Sequence, residues 1–290
     1  MSSTISIYGK KTRKADMIMY YLIYVAAFLS VFLILGIITY VFVRGIGQIN
    51  FMFLTTSSSF LKGTVGIAGN IVNTLIIIVI TLLIATPIGV GSAIYLSEYA
   101  QPGKVVSFIE FTTETLSGIP SIIYGLFGMM FFGKIWSYSI LTGALTLTIM
   151  VLPLITRNTQ EALKTVPLSY RQGSLGIGAT KWYMIRTVLL PNAMPGIITG
   201  VILSIGRIVG ESAALLFTAG SDGRLAKSMA AFFGKIFESG GTLTIELYLR
   251  MSNGEYNVAF GIGCVLLIIV LVINMLTKVL AKKFDVSAKA

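Results

Sequence analysis

The sequence predicts an all-α polytopic membrane protein with six transmembrane helices and both termini in the cytoplasm. Of its 290 residues, 55% are hydrophobic and only 11% are charged, which is far from the composition of soluble globular domains. Several uninterrupted apolar runs reach the roughly 18 to 20 residues that a helix needs to cross a bilayer. The alternation over ~10-residue segments that is typical of transmembrane β-barrels is absent, so helices are the expected membrane-spanning structure.

Hydropathy places the spans in order along the chain. The first apolar run is too long for a cleaved signal peptide and has no small-residue cleavage site, so it is interpreted as an uncleaved span. The chain divides into an N-terminal part with the first span and an outer loop, 1–65, a domain of five helices, 66–281, and a cytoplasmic tail, 282–290. The six predicted spans cover about 17–43, 66–97, 106–133, 139–157, 188–218 and 257–281.

The distribution of Lys and Arg sets the orientation. With the N-terminus in the cytoplasm, fourteen of these residues fall on the inner side and seven on the outer side, while Arg207 lies within a span. Positive residues gather on the cytoplasmic side of membrane proteins, so this count supports cytoplasmic termini and explains the net charge of +11 without nucleic acid. The absence of histidine and the single cysteine, Cys264, exclude histidine-based zinc sites, Ser-His triads and an internal disulfide. We expect no metal and no cofactor.

Polar residues at the start of the second span and in the outer loop carry structural expectations. Asn70, Asn73 and Thr74 lie at helical spacing and are expected to join helices within the bundle. The outer loop, about 219–257, is the largest exposed segment. Its segment TLTIELYL, 242–249, alternates apolar and polar residues and predicts a strand.

The third predicted span carries a polar stripe. Glu110, Glu114, Ser117 and Ser121 follow helical spacing and would share one face of a continuous helix. Paired carboxylates can perform acid–base chemistry, but no histidine accompanies them, so an interhelical or pathway role is the preferred interpretation. An intramembrane enzyme that uses Glu110, Glu114 or Glu211 is the alternative from a different functional class.

The fifth predicted span carries charges within the membrane. Ser204, Arg207 and Glu211 would share one small and polar helix face, with Arg207 near mid-bilayer at roughly 16 Å from the outer end. One interpretation is an ion pair between residues four apart that neutralises itself at a helix interface. The other, which we prefer, is a pathway-lining guanidinium that binds an oxyanion, with Glu211 fixing its geometry.

The cytoplasmic loop between the fourth and fifth spans, about 158–187, contains the register QGSLGIG, then nine residues, then VLLP. This register resembles the coupling motif of type I ABC importer permeases: Glu-Ala-Ala, three residues, Gly, nine residues, Ile-x-Leu-Pro. In that family two short helices beside the glycine dock into the ATP-hydrolysing subunit, and a left-handed turn is expected at Gly178. The head of the motif differs from Glu-Ala-Ala in this chain. The matching positions are Gln172, Gly173, Ser174, Gly178, Leu190 and Pro191.

A closer resemblance extends from about Asn70 to the C-terminus. The segments ETLSGIPSIIYGLFG, LGIGATKWYMIRTVLLPNAMPGIITG and IGRIVGESAALLFTAG are similar to the PstA family of phosphate importer permeases. The resemblance implies the MetI-like permease fold in a prokaryotic cell membrane. It also implies that Arg207 is important for phosphate translocation, with Glu211 at the accompanying acidic position.

The resemblance further implies the partners. They are a sister permease, PstC, two PstB ATPase subunits that bind ATP and Mg²⁺, an extracytoplasmic phosphate-binding protein, PstS, and the surrounding lipid. The sequence contains no phosphate-binding P-loop, so the chain itself is expected to be a transport subunit and not an enzyme. A permease for another oxyanion, such as molybdate, sulfate or phosphonate, is the alternative within the transporter class.

Overall fold

The computed structural model describes residues 14–59, 64–225 and 229–284, and these are mostly helical. The first half contains α1 Lys14–Gly45, α2 Phe51–Thr55, α3 Ala68–Ile94, α4 Lys104–Ser117, α5 Ser121–Phe131, α6 Gly133–Trp136 and α7 Ile140–Lys164. The second half contains α8 Leu168–Gly176, α9 Lys181–Met184, α10 Leu190–Val209, α11 Ala213–Thr218, α12 Met229–Gly234, α13 Leu243–Ser252 and α14 Tyr256–Phe284. Two short strands, β1 Ser57–Ser59 and β2 Thr64–Ile67, pair antiparallel. Single π-helical turns follow α3 at Tyr95–Tyr99 and precede α10 at Ile185–Leu189.

Within the described ranges, five helical stretches are long and apolar enough to cross a membrane. They coincide with all of the predicted spans except the third, whereas the predicted cytoplasmic termini lie outside the described residues. The five stretches are Lys14–Gln48, Ala68–Tyr99, Ile140–Lys164, Lys181–Val209 and Tyr256–Val279.

The third predicted span is not one helix. The chain leaves the helical path after Ser117 and resumes at Ser121, so α4 and α5 are separate. Pro120 explains the break, because proline has no N–H to donate and disfavours a helical conformation in the residue before it. The hydroxyl of Tyr124 donates to the carbonyl of Leu116 at 2.6 Å and so bridges the break. Six continuous membrane helices are therefore not confirmed.

Helix α7 is the centre of the bundle. It packs against α3 and α10, and its apolar side chains, including Leu147, Met150 and Ile155, are almost completely buried. Among its buried threonines, Thr146 donates its hydroxyl to the carbonyl of Thr142 one turn earlier at 2.7 Å, whereas the hydroxyl of Thr159 has no hydrogen-bond partner in the described structure. Gly200 lets α10 approach closely, since a Cβ there would lie 2.7 Å from the Cβ of Asn158.

Helix α1 contacts the rest of the described chain mainly near its C-terminal end, along α14. The rings of Tyr40 and Phe260 meet edge to face at 5.5 Å, and the backbone at Gly45 lies directly against the Phe260 carbonyl. Cys264 is buried here, and its thiol donates to the carbonyl of Val41 at 3.4 Å. The remaining apolar surface of α1 is exposed, as expected for a helix in lipid.

The predicted strand over 242–249 is wrong, because this segment forms α13. The Thr242 side chain accepts a hydrogen bond from the N–H of Ile245 at 3.4 Å and caps the helix. Glu246 and Arg250 form an ion pair at 2.7 Å between residues four apart, which stabilises a helix and not a strand. The apolar residues that suggested alternation are also spaced four apart, as in Leu243 and Leu247, so the pattern fits both periods.

Asn70 and Asn73 bind the outer loop and not another membrane helix, in contrast to the prediction. The Asn70 amide donates to the Gly241 carbonyl at 3.1 Å. The Asn73 amide donates to the carbonyls of Asp222 and Gly241 at 3.0 and 3.1 Å. Thr74 accepts from the N–H of Leu243 at 3.0 Å. The N-terminal end of α3 therefore holds both arms of the predicted outer loop.

Candidate functional site

The fifth predicted span is interrupted beside its charged residues. Helix α10 ends at Val209, and α11 begins at Ala213. The predicted single face through Arg207 and Glu211 is therefore wrong, because the two residues do not belong to one helix. The break is held from outside, since the hydroxyl of Thr244 in α13 donates to the backbone carbonyl of Glu211 at 2.8 Å.

The Glu211 side chain serves the second half of the broken helix. Its Oε1 accepts a hydrogen bond from the N–H of Ala214 at 3.0 Å and so caps the first turn of α11. The helix dipole favours a negative charge at this end. In the part of the chain that the structure describes, no hydrogen bond or ion pair joins Glu211 to Arg207, so neither the self-neutralising pair nor the geometry-fixing role is seen.

Arg207 lies in the last turn of α10 and is half-buried. The partial negative charge at this helix end favours a cation there. Across residues 14–59, 64–225 and 229–284, no carboxylate or hydrogen-bond acceptor pairs with its guanidinium. The N–H donors of this group are therefore free to bind an anion.

The two half-helices that follow the two breaks touch directly. A Cβ at Gly125 of α5 would lie 2.8 Å from the Cα of Ala214 in α11, so the two backbones are in contact. Tyr124, beside this glycine, is only 4% exposed and belongs to the same apolar cluster as Ile208 of α10. Two discontinuous helices side by side in a membrane are typical of substrate and ion sites in transporters.

The other predicted pathway residues are spread over several environments. Ser204 is fully buried, and its hydroxyl donates to the Gly200 carbonyl of its own helix at 2.9 Å. Ser117 is exposed at the end of α4, whereas Ser121 is half-buried at the start of α5. The predicted stripe of the third span is therefore divided by the break.

Glu110 and Glu114 line a cavity of about 220 Å³ between α4 and α7. Glu114 forms an ion pair with Arg157 at 3.3 Å, and both side chains are more than half exposed, so the pair adds little stability. Glu211, by contrast, contacts α11 and α13. The structure therefore places Glu110 and Glu114 at one cavity, and it places Glu211 at a different site.

The predicted turn at Gly178 is confirmed. Its φ is +85°, which is the left-handed conformation that favours glycine. The N–H of Gly178 donates to the Leu175 carbonyl at 3.0 Å, and the N–H of Ala179 donates to the Ser174 carbonyl at 3.1 Å, so the turn closes α8. The side chain of Thr180 then caps α9 by accepting from the N–H of Tyr183 at 3.3 Å.

The coupling segment, which we define as α8, the turn and α9, 168–184, exposes large apolar side chains. Ile177, next to the turn, is 87% exposed. Exposed apolar side chains of this kind are typical of surfaces that contact a protein or a membrane. Gln172 and Gly173 are also exposed, whereas Leu190 and Pro191 are half-buried where α10 begins. The exposed apolar side chains are Leu168, Tyr170, Leu175, Ile177, Trp182 and Tyr183.

Sequence reasoning missed a buried ion pair behind this surface. Arg171 Nη2 lies 3.0 Å from Glu98 Oε1, and the two side chains are 18% and 7% exposed. Arg171 also donates to the carbonyls of Leu163 and Val166 at 2.9 and 2.8 Å. The pair spans 73 positions in the sequence, so no local pattern could reveal it.

Comparison with known proteins identifies similar chains. The sequence profile of the family described as "Binding-protein-dependent transport system inner membrane component" matches residues 85–287. The probable ABC transporter permease protein YqgI of Bacillus subtilis is 39% identical over 255 residues, 84% of this chain and 87% of the relative. The phosphate transport system permease protein PstA 2 of Mycobacterium bovis is 37% identical over 159 residues, 53% of this chain and 52% of the relative.

Solved structures share the fold. A chain in the crystal structure of a bacterial alginate ABC transporter, in complex with an alginate pentasaccharide-bound periplasmic protein, aligns with a TM-score of 0.70. The alignment covers 94% of this chain and 96% of that chain at 14% identity. At this identity the likeness supports the architecture alone.

Proposed function

The chain belongs to the binding-protein-dependent transport system inner membrane component family, and from this premise we propose that it is a PstA-type permease subunit of an inorganic phosphate importer. An ABC importer permease supplies half of a translocation pathway and leaves ATP hydrolysis to another chain. The observation that carries the phosphate proposal is Arg207, a guanidinium without a partner in the described protein, at the break of a membrane helix.

The chemistry of this site suits an oxyanion. A guanidinium presents a planar fork of N–H donors that matches two oxygens of phosphate. An unpaired charge in a membrane is costly and marks a substrate pathway. The negative end of the α10 dipole offsets part of the positive charge. A single guanidinium, offset in this way, binds phosphate weakly enough to release it, while the soluble binding protein supplies the selectivity.

The sequence relatives support phosphate as the substrate, although not every relative is named for phosphate transport. The Mycobacterium bovis relative is a phosphate transport permease, whereas the name of the Bacillus subtilis relative gives no substrate. A permease for sulfate, molybdate or phosphonate is the rival proposal, because these are also oxyanions that a guanidinium can bind.

The partners that we assign follow from the same proposal. The membrane face of the chain pairs with a sister permease of PstC type, and an extracytoplasmic phosphate-binding protein of PstS type delivers the anion at the outer loop. The coupling segment docks its exposed apolar side chains on one of two PstB-type ATPase subunits, which bind ATP and Mg²⁺. Closure of the ATPase dimer then rocks the bundle between inward and outward access, in the cell membrane of a prokaryote.

Anion competition in proteoliposomes tests this function. The complete complex, with both permeases and the ATPase, is reconstituted with loaded binding protein, and ATP-dependent uptake of radiolabelled phosphate is measured. We expect uptake that excess unlabelled phosphate abolishes and that excess sulfate, molybdate or phosphonate does not reduce. Uptake of one of those anions without phosphate uptake would contradict the assignment of phosphate as the substrate.

A further inference from the structure

We propose that α3 is the rod that connects the coupling segment to the outer loop, and that Glu98 is the positioning residue that joins the rod to the coupling segment. This inference rests on the proposed function, since it concerns how ATP-driven motion reaches the outer side. It goes beyond the docking surface itself, because it assigns the internal path that leads away from that surface.

Glu98 attaches α3 to α8 by a buried and directional contact. Its Oε1 accepts from both Nε and Nη2 of Arg171, at 3.2 and 3.0 Å. Arg171 lies in the middle of α8 and also donates to the carbonyls of Leu163 and Val166, at and just beyond the end of α7. One guanidinium therefore fixes α8 to two membrane helices at once.

The next residue of α3's terminal turn contacts the other short helix. The Lys181 ammonium, at the first position of α9, lies 5.0 Å from the centroid of the Tyr99 ring. Glu98 and Tyr99 thus hold the helices on the two sides of the Gly178 turn. They belong to the π-helical turn Tyr95–Tyr99, a local widening of the kind often found at functional positions.

Burial distinguishes this link from the neighbouring cytoplasmic ion pairs. The side chains of Lys164 and Glu161 are 65% and 64% exposed, and exposed pairs of this kind hold little energy. The Glu98 side chain is 7% exposed, so loss of its charge would leave Arg171 buried without its partner. Breaking the Glu98–Arg171 pair is therefore expected to cost more free energy than breaking the exposed pair.

An apolar layer supports the same contact. Ile185 and Leu189, which follow α9, are completely buried and pack in one cluster with Val90 and Ile94 of α3. Since such packing does not slide freely, a displacement of the coupling segment moves the end of α3 with it.

The other end of α3 carries the motion to the outside. The helix continues from Ala68 to Ile94, and Asn73 lies 25 positions before Glu98, which corresponds to about 38 Å of helix. Asn73 holds the carbonyls of Asp222 and Gly241 in the two arms of the outer loop. One helix thus contacts the coupling segment at one end and the outer loop at the other.

Hydrogen–deuterium exchange on the complete complex tests the rod. Exchange in the outer loop, 219–225 and 237–242, is compared with and without ATP and vanadate, which trap the closed ATPase dimer. We expect a nucleotide-dependent change in the wild type that Glu98→Gln reduces at least about fivefold, the lower end of ordinary coupling between sites. The matched control Glu161→Gln, at an exposed pair, retains the full change.

The outcomes separate the two proposals. A wild-type response in Glu98→Gln, or no response of the wild-type outer loop, would overturn the rod. If Glu98→Gln does not assemble with the ATPase, Arg171→Lys, which keeps the charge but loses the fork, is measured in its place with the same expected loss. Absence of phosphate uptake by a wild-type complex that shows the exchange change would overturn the proposed function and leave the rod intact.

Discussion

The side-chain carboxylate of Glu211 accepts a hydrogen bond from the N–H of Ala214 at 3.0 Å, and it does not pair with Arg207 in the described structure. Each charge instead lies at the helix end whose dipole favours it. Arg207 lies at the negative end of α10, and Glu211 lies at the positive end of α11. The break thus places both charges in the membrane while leaving the guanidinium open to a ligand.

The capping role of Glu211 predicts a graded response to substitution. Glu211→Gln retains a side-chain oxygen that can accept from the N–H of Ala214, so it should transport close to the wild-type rate. Glu211→Ala loses the cap and should lower the stability of the complex by about 1 kcal/mol. Thermal unfolding and phosphate uptake of both variants check this. If Glu211→Gln abolished uptake while stability was unchanged, the charge itself would be required and the capping account would be wrong.

The left-handed turn predicts a conformational requirement at Gly178. A Cβ there would meet no atom within 4 Å, so any loss on substitution comes from backbone strain and not from crowding. Gly178→Ala should destabilise the left-handed turn by about 1 to 2 kcal/mol. Gly178→Asn should destabilise it less, because asparagine tolerates this conformation. We expect less of the ATPase subunit to co-purify with Gly178→Ala than with the wild type.

Gly176→Ala is the matched control for the turn. A Cβ at Gly176 also meets no atom within 4 Å, and its φ is not positive. Equal loss of ATPase binding from Gly176→Ala and Gly178→Ala would count against a role for the left-handed turn.

The contact between the two half-helices predicts that Gly125 tolerates no side chain. A Cβ there would lie 2.8 Å from the Cα and 3.0 Å from the carbonyl oxygen of Ala214, and backbone atoms cannot rotate away. Gly125→Ala should destabilise the protein by about 1 to 3 kcal/mol, which a lowered unfolding temperature would show. Gly36→Ala, in α1 with no atom within 4 Å, should leave that temperature unchanged or raised. A similar temperature for both variants would argue against the close contact.

An ionic cluster in the outer loop predicts an acid-dependent loss of stability. Burial alone would raise the pKa of Asp222, but hydrogen bonds from Arg224 at 2.8 to 3.0 Å and the charge of Lys235 at 3.3 Å lower the pKa below its usual value. The folded-state pKa is thus below the unfolded one. The stabilisation is present above pH ~4 and is lost as the pH falls through the folded-state pKa.

Unfolding temperatures across this acidic range check the prediction. Asp222→Asn should reduce the dependence on pH, whereas Asp16→Asn, on exposed α1, should keep it. An unchanged pH dependence in Asp222→Asn would show that another group is responsible.

Hydropathy located most of the architecture because long apolar runs have one stable form in a bilayer. The left-handed turn was also predictable, since a motif with a central glycine between two short helices requires it. The breaks at Pro120 and after Val209 were not predicted as breaks, because the residues on both sides keep helical spacing. The second break combines a local contact, the Glu211 side chain that accepts from the N–H of Ala214, with a tertiary one, the hydroxyl of Thr244 that donates to the Glu211 carbonyl from α13.

The remaining differences come from contacts between distant segments. Leu243 to Leu249 fits both a strand and a helix period, and the Thr242 cap decides for the helix. Asn73 reaches an outer loop about 150 residues later in the chain, and Arg171 reaches back to Glu98. Sequence spacing predicts which residues share a face of one element, but it does not predict which partner that face meets.

Phosphate uptake by the complex with Arg207→Gln tests the central claim most directly. The wild type, Arg207→Gln and the control Lys134→Gln, at an exposed outer position, are reconstituted with the sister permease, the ATPase and loaded binding protein. The account predicts that Arg207→Gln assembles normally but loses ATP-dependent phosphate uptake, while Lys134→Gln transports like the wild type. Wild-type uptake by a fully assembled Arg207→Gln complex would contradict the account.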